Sequence, residues 1–111
     1  MPEPLAPRDL LILSALAERR LHGYGIIKAV EDRSRSKVLL DPANLYRVLR
    51  RMRRDGWIRE IDDPDDTEEA RRRTYAITPA GITILRAEVE RLDSLIRHVK
   101  PALADGGRSG R

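Results

Sequence analysis

The stretch that decides the fold is Asp41–Gly56, which reads DPANLYRVLRRMRRDG. Asp41 is a favoured N-cap residue and Pro42 suits the first helical position, so the start of a helix is indicated twice. Gly56 suits the C-terminal end of the same helix. A helical wheel places four apolar side chains on one face: Leu45, Val48, Leu49 and Met52. The sequence therefore predicts a helix whose apolar face packs into a core and whose other side chains point outward.

The outward face of this helix is basic. Between Pro42 and Asp55 there are five arginines and one acid, a local charge of +4 that equals the net charge of the chain. A recognition helix meets base edges with its N-terminal part, while residues further along reach phosphates. The pattern predicts two base-reading side chains, Asn44 and Arg47, and three phosphate contacts, Arg50, Arg51 and Arg54. A merely solvated arginine face is the alternative, which the double start signal and the strands that follow disfavour.

Two helices are indicated before this stretch. The first is predicted from Pro7 to about Arg19. The second follows the turn Leu21–Gly23 and ends near Ser34, with Ile26, Ile27 and Val30 as its apolar stripe. The order helix, helix, basic helix is typical of a helix-turn-helix core.

Two strands and a last helix are indicated after it. Trp57–Ile61 and Arg73–Ile77 are rich in β-branched and aromatic residues and predict a hairpin with a long loop. Thr78 and Pro79 repeat the cap-and-proline signal, and the helix that they open is expected to end near Val99.

These elements predict a mainly α fold, an α+β winged helix. It consists of a three-helix helix-turn-helix core, a two-stranded β-wing and a long C-terminal dimerisation helix. The predicted domain division is a DNA-binding unit over residues 1–78, the dimerisation helix over 79–101 in the same structural unit, and a disordered tail over 102–111.

The segment between the two predicted strands divides by charge. Residues 62–70 contain six acids and no base, and three arginines follow at once: Arg71, Arg72 and Arg73. Because phosphate repels carboxylates, we expect the arginines to bind the DNA backbone and the acidic tip of the wing to point away from it. No metal site is predicted, since the loop lacks the glycine and the ligand spacing of an EF-hand.

Apolar residues of the last helix recur at alternating spacings of three and four, which is typical of a coiled-coil seam. They are Ile82, Leu85, Val89, Leu92, Ile96 and Val99. The first helix is apolar on nearly every side and adds Leu10 and Leu13 to a predicted homodimer interface. Packing of these helices within one subunit is the alternative. A symmetric dimer would bind a near-palindromic operator with half-sites one DNA turn, or a multiple of it, apart.

Composition argues against several other functions. The 111 residues include no cysteine, which excludes disulfides and cysteine nucleophiles and suits a reducing cytoplasm. No apolar run approaches the roughly 20 residues that cross a bilayer, and no signal-peptide pattern is present, so we expect a cytoplasmic protein. His22 and His98 have no convincing catalytic partners, so we expect neither an enzyme nor a cofactor.

Four segments, in this order and spacing, carry a family resemblance: Leu21–Ile26, Pro42–Leu49, Asp55–Ile58 and Arg72–Gly81. Together they resemble the PadR-like transcriptional regulators in the short form with a single C-terminal helix, over about residues 8–100. The resemblance implies a dimeric winged-helix repressor that releases its operator when a small molecule or another signal arrives. It also implies DNA contacts from Pro42, Asn44 and Tyr46 and from the wing arginines Arg71 to Arg73.

One further position matches the family without a settled role, and several others depart from the family pattern. Tyr24 matches a family tyrosine, for which a phosphate contact and a buried packing role both stay open. Ala43 and Asn44 replace the family's usual glycine followed by threonine or serine, and Gly25 replaces an acid, so an operator preference is not carried over. Neither is the drug pocket that some relatives build with a tryptophan of the last helix, since the only tryptophan here is Trp57, at the wing.

One rival function stays open at this point, a winged-helix module that binds protein rather than DNA through the acidic loop and the helical seam. A DNA-binding regulator needs the arginine face, and a protein-docking module does not.

Overall fold

The computed structural model describes residues 4–61 and 73–109, with side chains of the last helix described as far as Ala104. The elements are α1 Pro7–Glu18, β1 Leu21–His22, α2 Gly23–Arg33, α3 Pro42–Arg54, β2 Ile58–Ile61, β3 Thr74–Ile77 and α4 Pro79–Ser109. The strands form one antiparallel sheet in the order β1-β3-β2. The predicted mainly helical winged fold is confirmed. None of the helices in these ranges is long and apolar enough to cross a membrane.

The sheet has three strands, where the sequence predicted two. Leu21–His22, expected to be a turn, pairs antiparallel with β3, so that Leu21 lies opposite Tyr75 and His22 opposite Thr74. The Thr74 hydroxyl and Nδ1 of His22 are 2.9 Å apart. Two residues are too few to show the alternation by which a strand is recognised in a sequence, and the partner strand is remote in the chain.

The core lies where α1, α2, α3 and the sheet meet. The four apolar residues of α3 pack there with side chains of every neighbouring element: Ile12, Leu13, Leu16, Ile26, Val30, Leu40, Ile58 and Tyr75. Leu13, which the sequence assigned to the dimer interface, has no exposed surface and belongs to this core. For this side chain the alternative of packing within one subunit therefore applies, because α2, α4 and the sheet pack against α1.

Helix α4 starts at the predicted cap and continues past its predicted end. The Thr78 hydroxyl accepts a hydrogen bond from the Gly81 N–H at 3.1 Å and donates one to the Gly56 carbonyl at 2.5 Å. The helix then passes through Pro101 to Ser109, into the segment expected to be a disordered tail. Pro101 lacks the N–H that would bond to the preceding turn, but the alanine and leucine residues that follow it favour a helix.

Glu88 fastens the N-terminal segment to α4. Its buried carboxylate accepts two hydrogen bonds from Arg91, each 2.7 Å long, and one from the Leu5 backbone N–H at 2.9 Å. The Arg91 bonds, followed by the Leu5 bond, lower the pKa of Glu88 below its ordinary value. An ionised carboxylate therefore ties α4 to the chain just before α1.

Gly81 of α4 packs directly against the backbone of Trp57 at the start of the wing, and Gly81→Ala is expected to destabilise the fold. An added Cβ would lie 2.1 Å from the Trp57 carbonyl oxygen and 2.7 Å from Cγ1 of Ile77. Backbone must move to make room, so we expect the free energy of unfolding in urea to fall by about 3 kcal/mol, the upper end of the usual overpacking cost.

Gly56→Ala is the control for this substitution. A Cβ at Gly56 meets nothing within 4 Å, but its φ of +80° is unfavourable for alanine, which costs about 1 kcal/mol. A Gly81→Ala protein as stable as the wild type would contradict the packing described.

Candidate nucleic-acid interface

The start of α3 is fixed by Asp41, as the sequence predicts. Its carboxylate accepts a hydrogen bond from the Asn44 backbone N–H at 2.9 Å, and Pro42 occupies the first turn. This bond is the main cause that lowers the pKa of Asp41 below its ordinary value, with a smaller contribution from the charge of Arg47. The N-cap is therefore ionised at neutral pH and holds the N-terminal turn in place.

The buried face of α3 is the predicted one, and it decides what the opposite face presents. Leu45, Val48, Leu49 and Met52 are each at most 2% exposed. Arg47, Arg50 and Arg54 lie in solvent on the other side. With Arg8 and Arg51 they line a shallow surface depression of about 400 Å³. The arrangement presents a concentrated positive charge on the exposed face of α3, from the middle of the helix to its C-terminal end.

The arginines of this face differ in how far their charges are neutralised. Among the ion pairs within residues 4–61 and 73–104, none includes Arg47 or Arg50. Arg54 is three-quarters exposed and lies 3.8 Å from the carboxylate of Asp55. Arg47 and Arg50 are therefore the cations of this face whose charge no ion pair among the described residues neutralises.

Arg51, which the sequence predicted to contact phosphate, also makes a contact within the protein. Its guanidinium donates to the carboxylate of Asp9 in α1, which is 6% exposed and also lies 3.2 Å from Arg8. The bond joins α3 to α1 across the domain, and the charge of Arg51 is balanced inside the protein. Asp9 was missed by sequence reasoning, since nothing in its local pattern distinguishes it from an ordinary acid in the first turn of a helix.

The side chain of Asn44 also forms hydrogen bonds with other side chains of the protein. Its amide lies between Asp41 and Arg47, with one hydrogen bond to each, at 2.7 and 2.6 Å. The structure thus joins the two predicted base readers, Asn44 and Arg47, to the N-cap in one chain of polar contacts.

A small cleft separates the start of α3 from the start of α2. It has a volume of about 240 Å³ and is lined by Gly23, Tyr24, Ile27, Pro42, Leu45, Tyr46 and Arg73. Tyr24 is 64% exposed and Tyr46 is 51% exposed, so neither is a core residue. For Tyr24, this exposure disfavours the packing role that the sequence left open.

The base of the wing is anchored by Glu60, a residue that the sequence analysis did not single out. Its carboxylate lies 3.0 Å from Nε of Arg73 and 3.5 Å from Nη2 of Arg53 in α3. Arg73 is nevertheless 64% exposed and borders the cleft described above. Arg71, Arg72 and the acidic loop lie outside the described residues.

Most residues of the predicted α4 seam are only partly covered. Ile82, Leu85 and Leu92 are half-buried, and Leu85 packs against the core. Val89, Ile96 and Val99 are about half exposed. The first part of the seam therefore meets its own subunit, and the later part leaves apolar surface in solvent, as does Leu10 in part.

A helix-turn-helix with an outward basic third helix, followed by a wing, defines the class of winged-helix DNA-binding regulators. The model of the transcriptional regulator PadR-like family matches residues 12–87, well over half of the chain. The chain therefore belongs to the PadR-like family of transcriptional regulators. The members of this family are transcriptional regulators and not enzymes.

The chain is also similar to solved structures and to one curated protein. A transcriptional regulator of Clostridium thermocellum is 26% identical, with a TM-score of 0.69 and coverage of 85% of this chain and 87% of that one. A PadR family regulator of Clostridium difficile is 27% identical, with a TM-score of 0.66 and coverage of 90% and 97%.

BpsR of Bordetella bronchiseptica, whose DNA binding is regulated by 6-hydroxynicotinic acid, shares the fold at 19% identity, with a TM-score of 0.67 and coverage of 85% and 60%. An uncharacterized 37.1 kDa protein in transposon TN4556 of Streptomyces fradiae is 35% identical over 87 residues. That match covers 78% of this chain but only 23% of the transposon protein.

Two adjacent arginines of α3 should respond differently to alanine. Arg51→Ala removes the hydrogen bond to buried Asp9, so we expect the free energy of unfolding to fall by about 1.5–3 kcal/mol, as for bonds to charged groups. Arg50→Ala removes an exposed side chain without such a bond and should change stability by no more than about 0.5 kcal/mol. Urea denaturation of both variants measures this difference, and equal stabilities would contradict the internal role of Arg51.

Proposed function

We propose that this regulator is a homodimeric, sequence-specific DNA-binding repressor of the cytoplasm that recognises a near-palindromic operator through α3 and the base of the wing. We also propose that a small molecule or another signal releases it from DNA. The observation that carries the proposal is the division of α3 into a fully buried apolar face and an exposed face with the unneutralised cations Arg47 and Arg50.

The contacts follow from the position of each residue along α3. Arg47 lies in the N-terminal half, where a recognition helix meets bases. Its planar guanidinium can donate two hydrogen bonds to O6 and N7 of guanine. Arg50 and Arg54 lie further along and are suited to phosphates. Arg51 joins α3 to α1 through its hydrogen bond to Asp9. Arg71 and Arg72 remain proposed backbone contacts on the evidence of the sequence.

The cleft between α2 and α3 is suited to the DNA backbone. Tyr24 and Tyr46 expose aromatic side chains with hydroxyl donors, Pro42 forms one wall, and Arg73 adds a cation at its edge. Tyrosine and arginine side chains are common donors to phosphate oxygens. We propose that this cleft fixes the protein on the duplex while Arg47 meets the bases.

The second half of α4 supports dimerisation. Val89, Leu95, Ile96 and Val99 are each between 48% and 54% exposed, and Leu103 is 70% exposed. The molecule is 63 Å long and only 29 Å and 21 Å wide. A contiguous apolar stripe of this kind marks an association surface, and a second copy of the same helix is its natural partner.

A cavity offers a route by which a signal could act on α3. It has a volume of about 530 Å³ and is bordered by Leu5, Arg8, Asp9, Arg51, Trp57 and Ile84, among other residues. An occupant would contact the Asp9–Arg51 pair that joins α1 to α3, and would also contact α4. BpsR provides an instance of the same fold in which a small molecule regulates DNA binding.

Replacing Arg47 and Arg50 together with alanine should abolish the sequence-selective gel shift on DNA from upstream of the protein's gene. Each lost phosphate contact also lowers the slope of log affinity against log salt by about 0.9. The control is the double variant Arg86→Ala and Arg97→Ala, which removes the same charge from α4. An unchanged shift with the α3 variant, or no selective shift with the wild type, would favour the protein-docking alternative.

Ile96→Asp should convert the dimer into a monomer, because the interface would have to bury an unpaired carboxylate. Ser94→Asp introduces the same group on an exposed position outside the seam and should leave the dimer intact. Sedimentation velocity measures both. Equal sedimentation of the two variants would contradict an interface at Ile96, and an Ile96→Asp monomer should also lose most of its operator affinity.

A further inference from the structure

The side-chain amide of Asn44 is engaged on both sides. Its Nδ2 donates to Oδ2 of Asp41 at 2.7 Å, and its Oδ1 accepts from Nη2 of Arg47 at 2.6 Å. An ionised carboxylate only accepts hydrogen bonds and a guanidinium only donates them, so a single orientation of the amide satisfies both neighbours. Asp41, Asn44 and Arg47 thus form a chain in which each donor meets an acceptor.

We propose that Asn44 is a positioning residue that holds Arg47 for the recognition of guanine and does not itself read a base. The proposal rests on the DNA-binding function proposed above. An asparagine that reads adenine needs its amide donor and its amide acceptor together. Here one N–H of Nδ2 and one lone pair of Oδ1 are already bonded to protein partners, which hold the amide between them. One of these partners is the charged N-cap Asp41, which the backbone of α3 already fixes.

The contact leaves Arg47 able to bind guanine. A guanidinium has five N–H donors, and Asn44 takes only one of the two on Nη2. The other Nη2 hydrogen and those of Nη1 form a fork that matches O6 and N7 of guanine. Asn44 and Arg47 lie three residues apart on one face of α3, which keeps the amide beside the guanidinium.

The gain from this arrangement is preorganisation. A free arginine loses several rotatable states when it binds, and fixing one long side chain in advance changes affinity by about threefold to tenfold. Arg47 is otherwise exposed, and no ion pair among the described residues includes it. Asn44 is therefore the contact that limits where its guanidinium points.

Binding-site selection with the full chain and three variants tests the assignment. Arg47→Ala identifies the base pair that depends on Arg47. Asn44→Ala removes the amide, so we expect the guanine preference at that same base pair to weaken by about threefold to tenfold while preferences elsewhere persist. Asn44→Asp keeps an acceptor for Arg47 but lacks the donor needed to read adenine, so the guanine preference should be retained even if the added charge weakens overall binding.

Each possible result of this experiment either supports or contradicts the proposal. Loss of an adenine preference at a different base pair in Asn44→Ala, with the guanine preference intact, would show that Asn44 reads a base. An unchanged preference in Asn44→Ala would show that Arg47 needs no support, and would overturn the proposal equally. Thermal unfolding of each variant separates these outcomes from misfolding. If the wild type enriches no sequence at all, the proposed function itself fails.

Discussion

The burial of one face of α3 is the constraint on which the rest of the structure depends. Four apolar side chains of this helix enter the core formed by α1, α2 and the sheet, and they leave the helix no freedom to rotate. Rotation by half a turn would expose that face and bury arginines, at a cost of several kcal/mol for each charge. The outward direction of Arg47 and Arg50 is therefore a consequence of hydrophobic packing on the opposite side.

Local sequence patterns predicted this part of the molecule because the forces that define it act within a few residues. The Asp41 cap, Pro42, the apolar face of α3 and the Thr78 cap each depend on neighbours in the same turn of helix. The predicted helices and the antiparallel pairing of β2 with β3 were confirmed, with shifts of a residue or so at most ends and a larger extension at the C-terminal end of α4. Helix periodicity and capping are short-range signals and can be read from a single chain.

Features that depend on remote partners were not predictable in the same way. β1 exists because Leu21–His22 meets β3, and Arg51 is paired within the protein because α1 places Asp9 beside it. On a helical wheel Arg50 and Arg51 both lie outside the apolar face, although Arg51 is bound to a buried carboxylate and Arg50 is exposed. Leu13 and Val99 both fit an apolar pattern, but Leu13 is buried, in a helix against which α2, α4 and the sheet pack, whereas Val99 is about half exposed. Tertiary packing, which a helical wheel does not represent, gives the two residues of each pair different surroundings.

The central claim is that the outer face of α3 enters the major groove in two symmetry-related half-sites, and methylation interference tests it most directly. The account predicts that methylation of guanine N7, a major-groove position, blocks binding at guanines in two inverted half-sites about one DNA turn apart. Binding that tolerates N7 methylation throughout the operator, or that is blocked only by modification of the minor groove, would contradict it.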